Sequence, residues 1–234
     1  MAFGQRSSQS ATQFGPNTKV YFVSIKEKDL PQPFFEIKQK VGEKYEVVPG
    51  GAVADQLKFL GGDLVDIRNK VFKYEGKDIE SVSATFVDKV KDEAYITTLS
   101  HGYLGWNIMN SLSALKTYNG IEIGLYQSKP KDGKPKGFNS AAVRQGPTGS
   151  LIYGKFKNEE LPKIPKIQVG KDVHSDKTAM IAFWTAQMEE LSKIVKAANP
   201  AGAATSGNTV GTSAAAHEEP AQGGDEGDPL APPF

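Results

Sequence analysis

The chain has 234 residues, with 28 Lys and Arg against 27 Asp and Glu and a formal net charge of +1. It has no cysteine, which excludes disulfides and thiolate metal sites and makes a reducing cytoplasm the expected compartment. Three scattered histidines (His101, His174 and His217) suggest no zinc site. No window carries the ~18 apolar residues of a membrane span, and residues 1–16 lack the apolar core of a signal sequence.

Residues 1–17 are polar and expected to be flexible. Residues 18–169 form the body, in which short alternating segments are separated by Gly, Pro, Asn and Asp. Strands are expected at 19–25, 34–39, 64–74, 82–87, 93–99, 121–128, 138–144 and 151–157, because β-branched and aromatic residues recur there with a period near two. In the segment 121–126, Ile121, Ile123 and Leu125 share one face, and Glu122 and Tyr126 take the other. A helix over 103–115 places Leu104, Ile108, Leu112 and Leu115 at helical spacing, and Asn119-Gly120 closes that region. The prolines in 161–166 predict an extended connection.

Residues 170–199 carry a second helix, expected to begin at Ser175 as N-cap and to end at Asn199-Pro200. Its stripe of Ile181, Trp184, Met188, Leu191 and Val195 reads as core or as a contact in a homo-oligomer rather than as a ligand site. The pattern as a whole predicts a mainly β fold, a small closed barrel or a sandwich, with a mid-chain helix and a C-terminal helix.

Two basic segments are candidate grips for a sugar–phosphate chain. The tract 129–137 holds Lys129, Lys131, Lys134 and Lys136 among prolines and glycines, reads as a hairpin loop, and is followed by Phe138 and Arg144. Ammonium groups neutralise phosphates while a ring face receives a base; lysines that merely solvate a hairpin tip are the alternative. In 68–77, alternation sends Lys70, Phe72 and Tyr74 to one side of a strand and Val71 and Lys73 to the other. Phe35 with Lys38 and Lys40 offers the same combination. Tyr126 and Tyr153 flank the lysine loop and are open to either role, whereas Tyr103 and Trp106 are expected to cover the end of the barrel.

Asp63, Asp66, Glu75 and Lys77 superficially match the carboxylate–lysine set of Mg²⁺-dependent nucleases, with paired acids on the metal and a lysine near the attacking water. Gly76 argues for a turn instead. No Ser/His/Asp cluster, P-loop or dinucleotide fingerprint accompanies it. No catalytic residue and no cofactor are therefore expected.

Residues 200–234 contain no Lys or Arg and five acids, so all 28 basic residues of the chain face the other 22 acids within 1–199, a balance of +6. The composition of this tail cannot bury enough apolar area to fold. Its end, with Asp225, Glu226 and Asp228 running into Pro233 and a terminal Phe234, can be gripped by a partner: a pocket takes the ring and a basic side chain takes the free carboxylate.

This tip resembles the partner-binding tail of bacterial and phage single-stranded-DNA-binding proteins. The segment 61–77 with its Tyr-Glu-Gly-Lys turn, the run 121–126, the Lys-Asp-Gly-Lys hairpin and the run 137–146 are similar to phage-encoded members of that group. The resemblance covers about residues 60–167 and the tip. It implies an oligonucleotide-binding (OB) fold, a small Greek-key barrel over 18–169, that coats single-stranded DNA in phage replication, recombination or repair in the host bacterial cytoplasm. The tail would recruit replication or repair proteins, and its removal would leave DNA binding intact or tighten it. The chain departs from the bacterial pattern in ending Ala-Pro-Pro-Phe and in carrying the helix of 170–199.

Overall fold

The computed structural model describes residue 14 and residues 17–26, 34–48, 59–127, 139–146, 149–169 and 171–199. The period-two segments become strands in three antiparallel meanders. The first is β1 (Lys19–Lys26), β2 (Phe34–Val41) and β3 (Lys44–Val47). The second is β4 (Phe59–Tyr74), β5 (Lys77–Asp88) and β6 (Glu93–Ser100), and the third is β7 (Ile121–Gln127), β8 (Asn139–Gln145) and β9 (Ser150–Ile152). They merge into one mixed sheet of nine strands in the order β3-β2-β1-β6-β5-β4-β7-β8-β9, with β1 parallel to β6. The protein is mainly β, as its sequence predicts. Among the described residues the strand order begins at β3 and ends at β9, and closure into a barrel is not shown.

β4 links two parts of this sheet. Its residues 59–62 pair with β7 and its residues 63–74 pair with β5. The change of partner is made by Gly62, at φ 140°, and by a register shift between Leu64 and Asp66. A Cβ on residue 62 would lie 2.7 Å from the Val87 carbonyl, so only glycine allows the strand to pass.

Side-chain alternation sends Val23, Phe35, Ile67, Val82, Phe86 and Leu99 to one face, where they are buried. Helix α1 (Tyr103–Ser113) packs Leu104, Ile108 and Leu112 onto them, as its spacing predicts. Helix α2 (Thr178–Ala198) adds Trp184, Met188, Leu191 and Val195 to the same cluster. Its stripe is core. At ~1.5–3 kcal/mol for each large side chain buried, α2 is part of the body and not an appendage. Asn69 donates from Nδ2 to the Thr185 carbonyl (2.8 Å) and Asn199 to the Leu64 carbonyl (3.3 Å), which fixes α2 along β4.

Three local readings are corrected. Ser175 does not cap α2: it ends the hairpin of β10 (Lys166–Val169) and β11 (Asp172–Ser175), two strands the periodicity reading missed along with β3. Asp176 instead accepts the Thr178 N–H (3.0 Å), which holds its carboxyl below the ordinary value. The strand expected at 151–157 stops at Ile152, because the following residues turn away from the sheet to bond α1. Among the described residues no helix is long and apolar enough to cross a membrane.

Candidate nucleic-acid interface

An open groove of ≈ 770 Å³ lies between α1 and the β7–β8–β9 end of the sheet. Tyr103 and Asn107 line it from α1, Tyr126 from β7, Ser140 and Arg144 from β8, and Tyr153 from the chain after β9. The three rings are 41%, 45% and 78% exposed. Rings of this size are normally drawn into a core; three of them open around one groove with an exposed guanidinium provide stacking faces and a phosphate partner together. Burial, and then the neighbouring Tyr126, push the Tyr103 hydroxyl above its ordinary pKa, so its ring stays neutral at pH 7.

The position of each ring has a local cause. Tyr126 follows from strict alternation: Ile121, Ile123 and Leu125 are buried, Glu122 and Tyr126 are exposed, and Tyr126 stands opposite Ser140. Tyr103 opens α1, whose first turn lies against the end of β6. A Cβ on Gly105 would sit 2.0 Å from the Ser100 carbonyl oxygen, so a glycine is needed for that approach. Asn107 ties the helix to β8 by donating to Ser140 Oγ (3.3 Å).

Tyr153 is held by its neighbours. Asn110 on α1 donates from Nδ2 to the Phe156 carbonyl (2.9 Å) and accepts the Phe156 N–H at Oδ1 (2.9 Å), while the Lys155 N–H donates to the Asn110 carbonyl (3.2 Å). The side-chain amide thus does the work of a missing strand neighbour. Phe156 then enters an edge-to-face trio with Phe183 and Trp184 of α2, at centroid distances of 5.1 and 6.0 Å. Sequence reasoning missed Asn110 and Lys155; the cue for Lys155 was the run Tyr-Gly-Lys-Phe-Lys, whereas Asn110 has no sequence signal.

The second basic segment projects as a ribbon. β6 pairs with β5 only over residues 81–88, so residues 71–74 of β4 and 77–80 of β5 pair with each other alone, closed by the turn Glu75-Gly76 with both φ positive (49° and 77°). Lys70 and Phe72 lie on one face, opposite Ser81 and Ile79; Val71 and Lys73 lie on the other, opposite Glu80 and Asp78. All of these except Ser81 are exposed. Tyr74 pairs in the backbone with Lys77. The base of the ribbon reaches the groove: Lys70, Ser81 and Ser100 are successive register partners on three strands, about 10 Å in all, and Tyr103 follows Ser100 by three residues.

The remaining expectations divide. Phe35 is 1% exposed within the core and cannot stack on a base, because it belongs to the inward-facing set of β2. Lys38 is largely buried, with Nζ 3.0 Å from Glu36 Oε1, so its charge is engaged locally. Tyr103, expected to pack, is open, whereas Trp106 is buried and donates to His101 Nδ1 (3.4 Å). Burial keeps His101 below the ordinary imidazole pKa although Glu80 acts against it, which suits that acceptor role.

Lys129, Lys131, Lys134, Lys136 and Phe138, and Asp225, Glu226, Asp228, Pro233 and Phe234, lie outside the described residues. The first five belong to the connection between Gln127 and Asn139, whose side chains bond each other (3.3 Å) beside Tyr126.

The nuclease set is dispersed. Asp63 accepts the Gly120 N–H (2.9 Å) and holds Lys89 (2.7 Å), and Asp66 is paired with Arg68 (3.4 Å). Glu75 lies nine residues beyond Asp66, roughly 30 Å of extended strand. Among the described residues no three His or acidic side chains could hold a metal ion.

No protein-family model, no curated protein and no solved structure matches the chain.

Proposed function

We propose that this protein binds single-stranded DNA with little sequence preference, without catalysis, and coats it during replication, recombination or repair. The observation that carries this reading is the groove with three open tyrosines and Arg144. Rings accept any base on a π-face at roughly 1–3 kcal/mol each, and cations track the backbone. Duplex DNA keeps its bases stacked inside and offers such rings nothing.

The order of elements supports an OB-type unit within the larger sheet. β4, shared between β5 and β7, then β6, α1, β7 and β8 supply a bent first strand, a helix before the fourth strand, and two hairpins flanking one face. The reading extends, on the resemblance to phage-encoded single-stranded-DNA-binding proteins alone, to recruitment of replication or repair proteins by the segment 225–234 and to work in the host bacterial cytoplasm. The rival nuclease reading gains no support from carboxylates already paired elsewhere.

The test is a titration of tyrosine and tryptophan fluorescence with single-stranded DNA, duplex DNA and RNA over a salt series. The expected outcome is quenching by single strands, with affinity falling steeply with salt. Absence of quenching, or affinity indifferent to salt, would leave a protein-interaction body with solvating lysines as the better account.

A further inference from the structure

The chain that leaves the groove past Tyr153 crosses the body as a lysine-bearing segment. Residues 155–166 hold four lysines and two acids. Phe156, Leu161 and Ile164 pack against the core cluster, whereas Lys155, Lys157, Lys163 and Lys166 are exposed. The apolar residues seat the segment and leave its cations facing solvent.

The segment is braced along its length. It starts on α1, where the Lys155 N–H donates to the Asn110 carbonyl (3.2 Å), and it ends where the Asp176 N–H donates to the Pro165 carbonyl (2.8 Å). Between these points lies the turn Asn158–Glu160. There the Glu160 N–H donates to the Lys157 carbonyl (3.0 Å) and the Leu161 N–H to the Asn158 carbonyl (3.2 Å). Pro162 and Pro165 restrict the backbone on either side of Lys163.

Its charges are left over. Elsewhere on the described body Lys38, Lys89 and Lys91 are held by the acids Glu36 (3.0 Å), Asp63 (2.7 Å) and Asp88 (3.4 Å). None of the four lysines of 155–166 has such a carboxylate among the described residues. Lys155 Nζ lies 5.0 Å from the centre of the Phe156 ring, a contact that leaves its charge in place. Both acids of the segment sit in the one turn, and Glu160 Oε2 accepts the Lys157 N–H (2.6 Å). Four cations therefore stand along a fixed track that begins two residues after the 78% exposed Tyr153.

We infer that a bound single strand leaves the tyrosine groove past Tyr153 and runs along this track, with its phosphates on Lys155 and Lys157 and then on Lys163 and Lys166; the inference rests on the single-strand reading above. A small anion would be satisfied by one or two of these ammonium groups, whereas a chain of phosphates uses all four. Because the backbone beneath them is already ordered, the contact adds affinity without the cost of ordering a loop.

The experiment uses the full chain, its Lys163→Gln/Lys166→Gln variant at the far end of the track, and a Lys193→Gln/Lys196→Gln control on the outward side of α2. All four positions are exposed, and circular dichroism verifies the fold. Anisotropy is read with labelled oligothymidylates of two lengths, one at the lower end of the roughly 4–16 nucleotides of a single site and one about three times as long. The track variant is expected to bind the long oligomer about 10-fold more weakly and with a salt slope smaller by about 1, with the short oligomer unchanged within ~2-fold. The control is expected to bind both lengths as the unaltered chain does. Equal effects of the track variant on both lengths, no effect on either, or an equal loss in the control would overturn the track while leaving the groove intact. If the unaltered protein binds neither oligomer, the single-strand reading falls and this inference with it.

Discussion

Tyr153 and Phe72 are both exposed rings beside cations, yet the protein holds them by different means. Tyr153 stands on a short irregular segment fixed from two sides, by the Asn110 amide and by Phe156 within the aromatic trio of α2. Phe72 stands on a two-stranded ribbon whose backbone pairs only with its own return strand. An isolated hairpin is marginal in water, and such elements lie at the low-stability end of a fold. Rings that must stack at a set distance gain from bracing, because less ordering is left to be done on binding. Cations that track a flexible polyanion need no such bracing. The contrast assigns shape to the groove and charge to the ribbon.

The harshest way to break the contrast is to remove its inner support. Trp184→Ala should destabilise the whole fold by about 3–5 kcal/mol, measured by urea denaturation, since the ring is fully buried in the core under the Tyr153 segment. A loss below 1 kcal/mol would mean that α2 is an appendage after all. Asn110→Ala separates the two regions more finely. It leaves the Phe156 N–H and carbonyl without their partner, at a cost of about 1–3 kcal/mol, and should weaken single-strand binding with the salt slope unchanged. The opposite signature belongs to Lys70→Gln/Lys77→Gln. There affinity should fall modestly while the slope of log K against log salt shrinks by up to about 2. If Asn110→Ala lowers the slope, or the lysine pair leaves it alone, the division of labour between groove and ribbon is wrong.

Much of this was legible in advance where one residue's environment follows from its neighbours in sequence. The alternation in 121–126 put Tyr126 on the open side, and the stripe of α2 put Trp184 and Met188 inside. Phe35 shows the limit: period two says which residues share a face but not which face meets the core, and β2 resolves it against a stacking role. Tyr103 fails differently. Helical spacing made it a neighbour of a buried stripe, but the tight approach of Gly105 to Ser100 leaves the first turn at the rim. Asn110 carries no local signal at all, because its backbone partner is 46 residues away. The parallel union of β1 with β6, by which the expected strands β1 and β2 join one mixed sheet of nine strands among the described residues, is likewise a long-range fact.

Ultraviolet cross-linking of an oligothymidylate to the full chain, followed by mass spectrometry of the linked peptides, addresses the tyrosine groove most directly. The account predicts links at Tyr103, Tyr126 or Tyr153, lost in competition with unlabelled single strands and at high salt. Links confined to the outward side of α2, around Lys193 and Lys196, or links that survive both challenges, would contradict it.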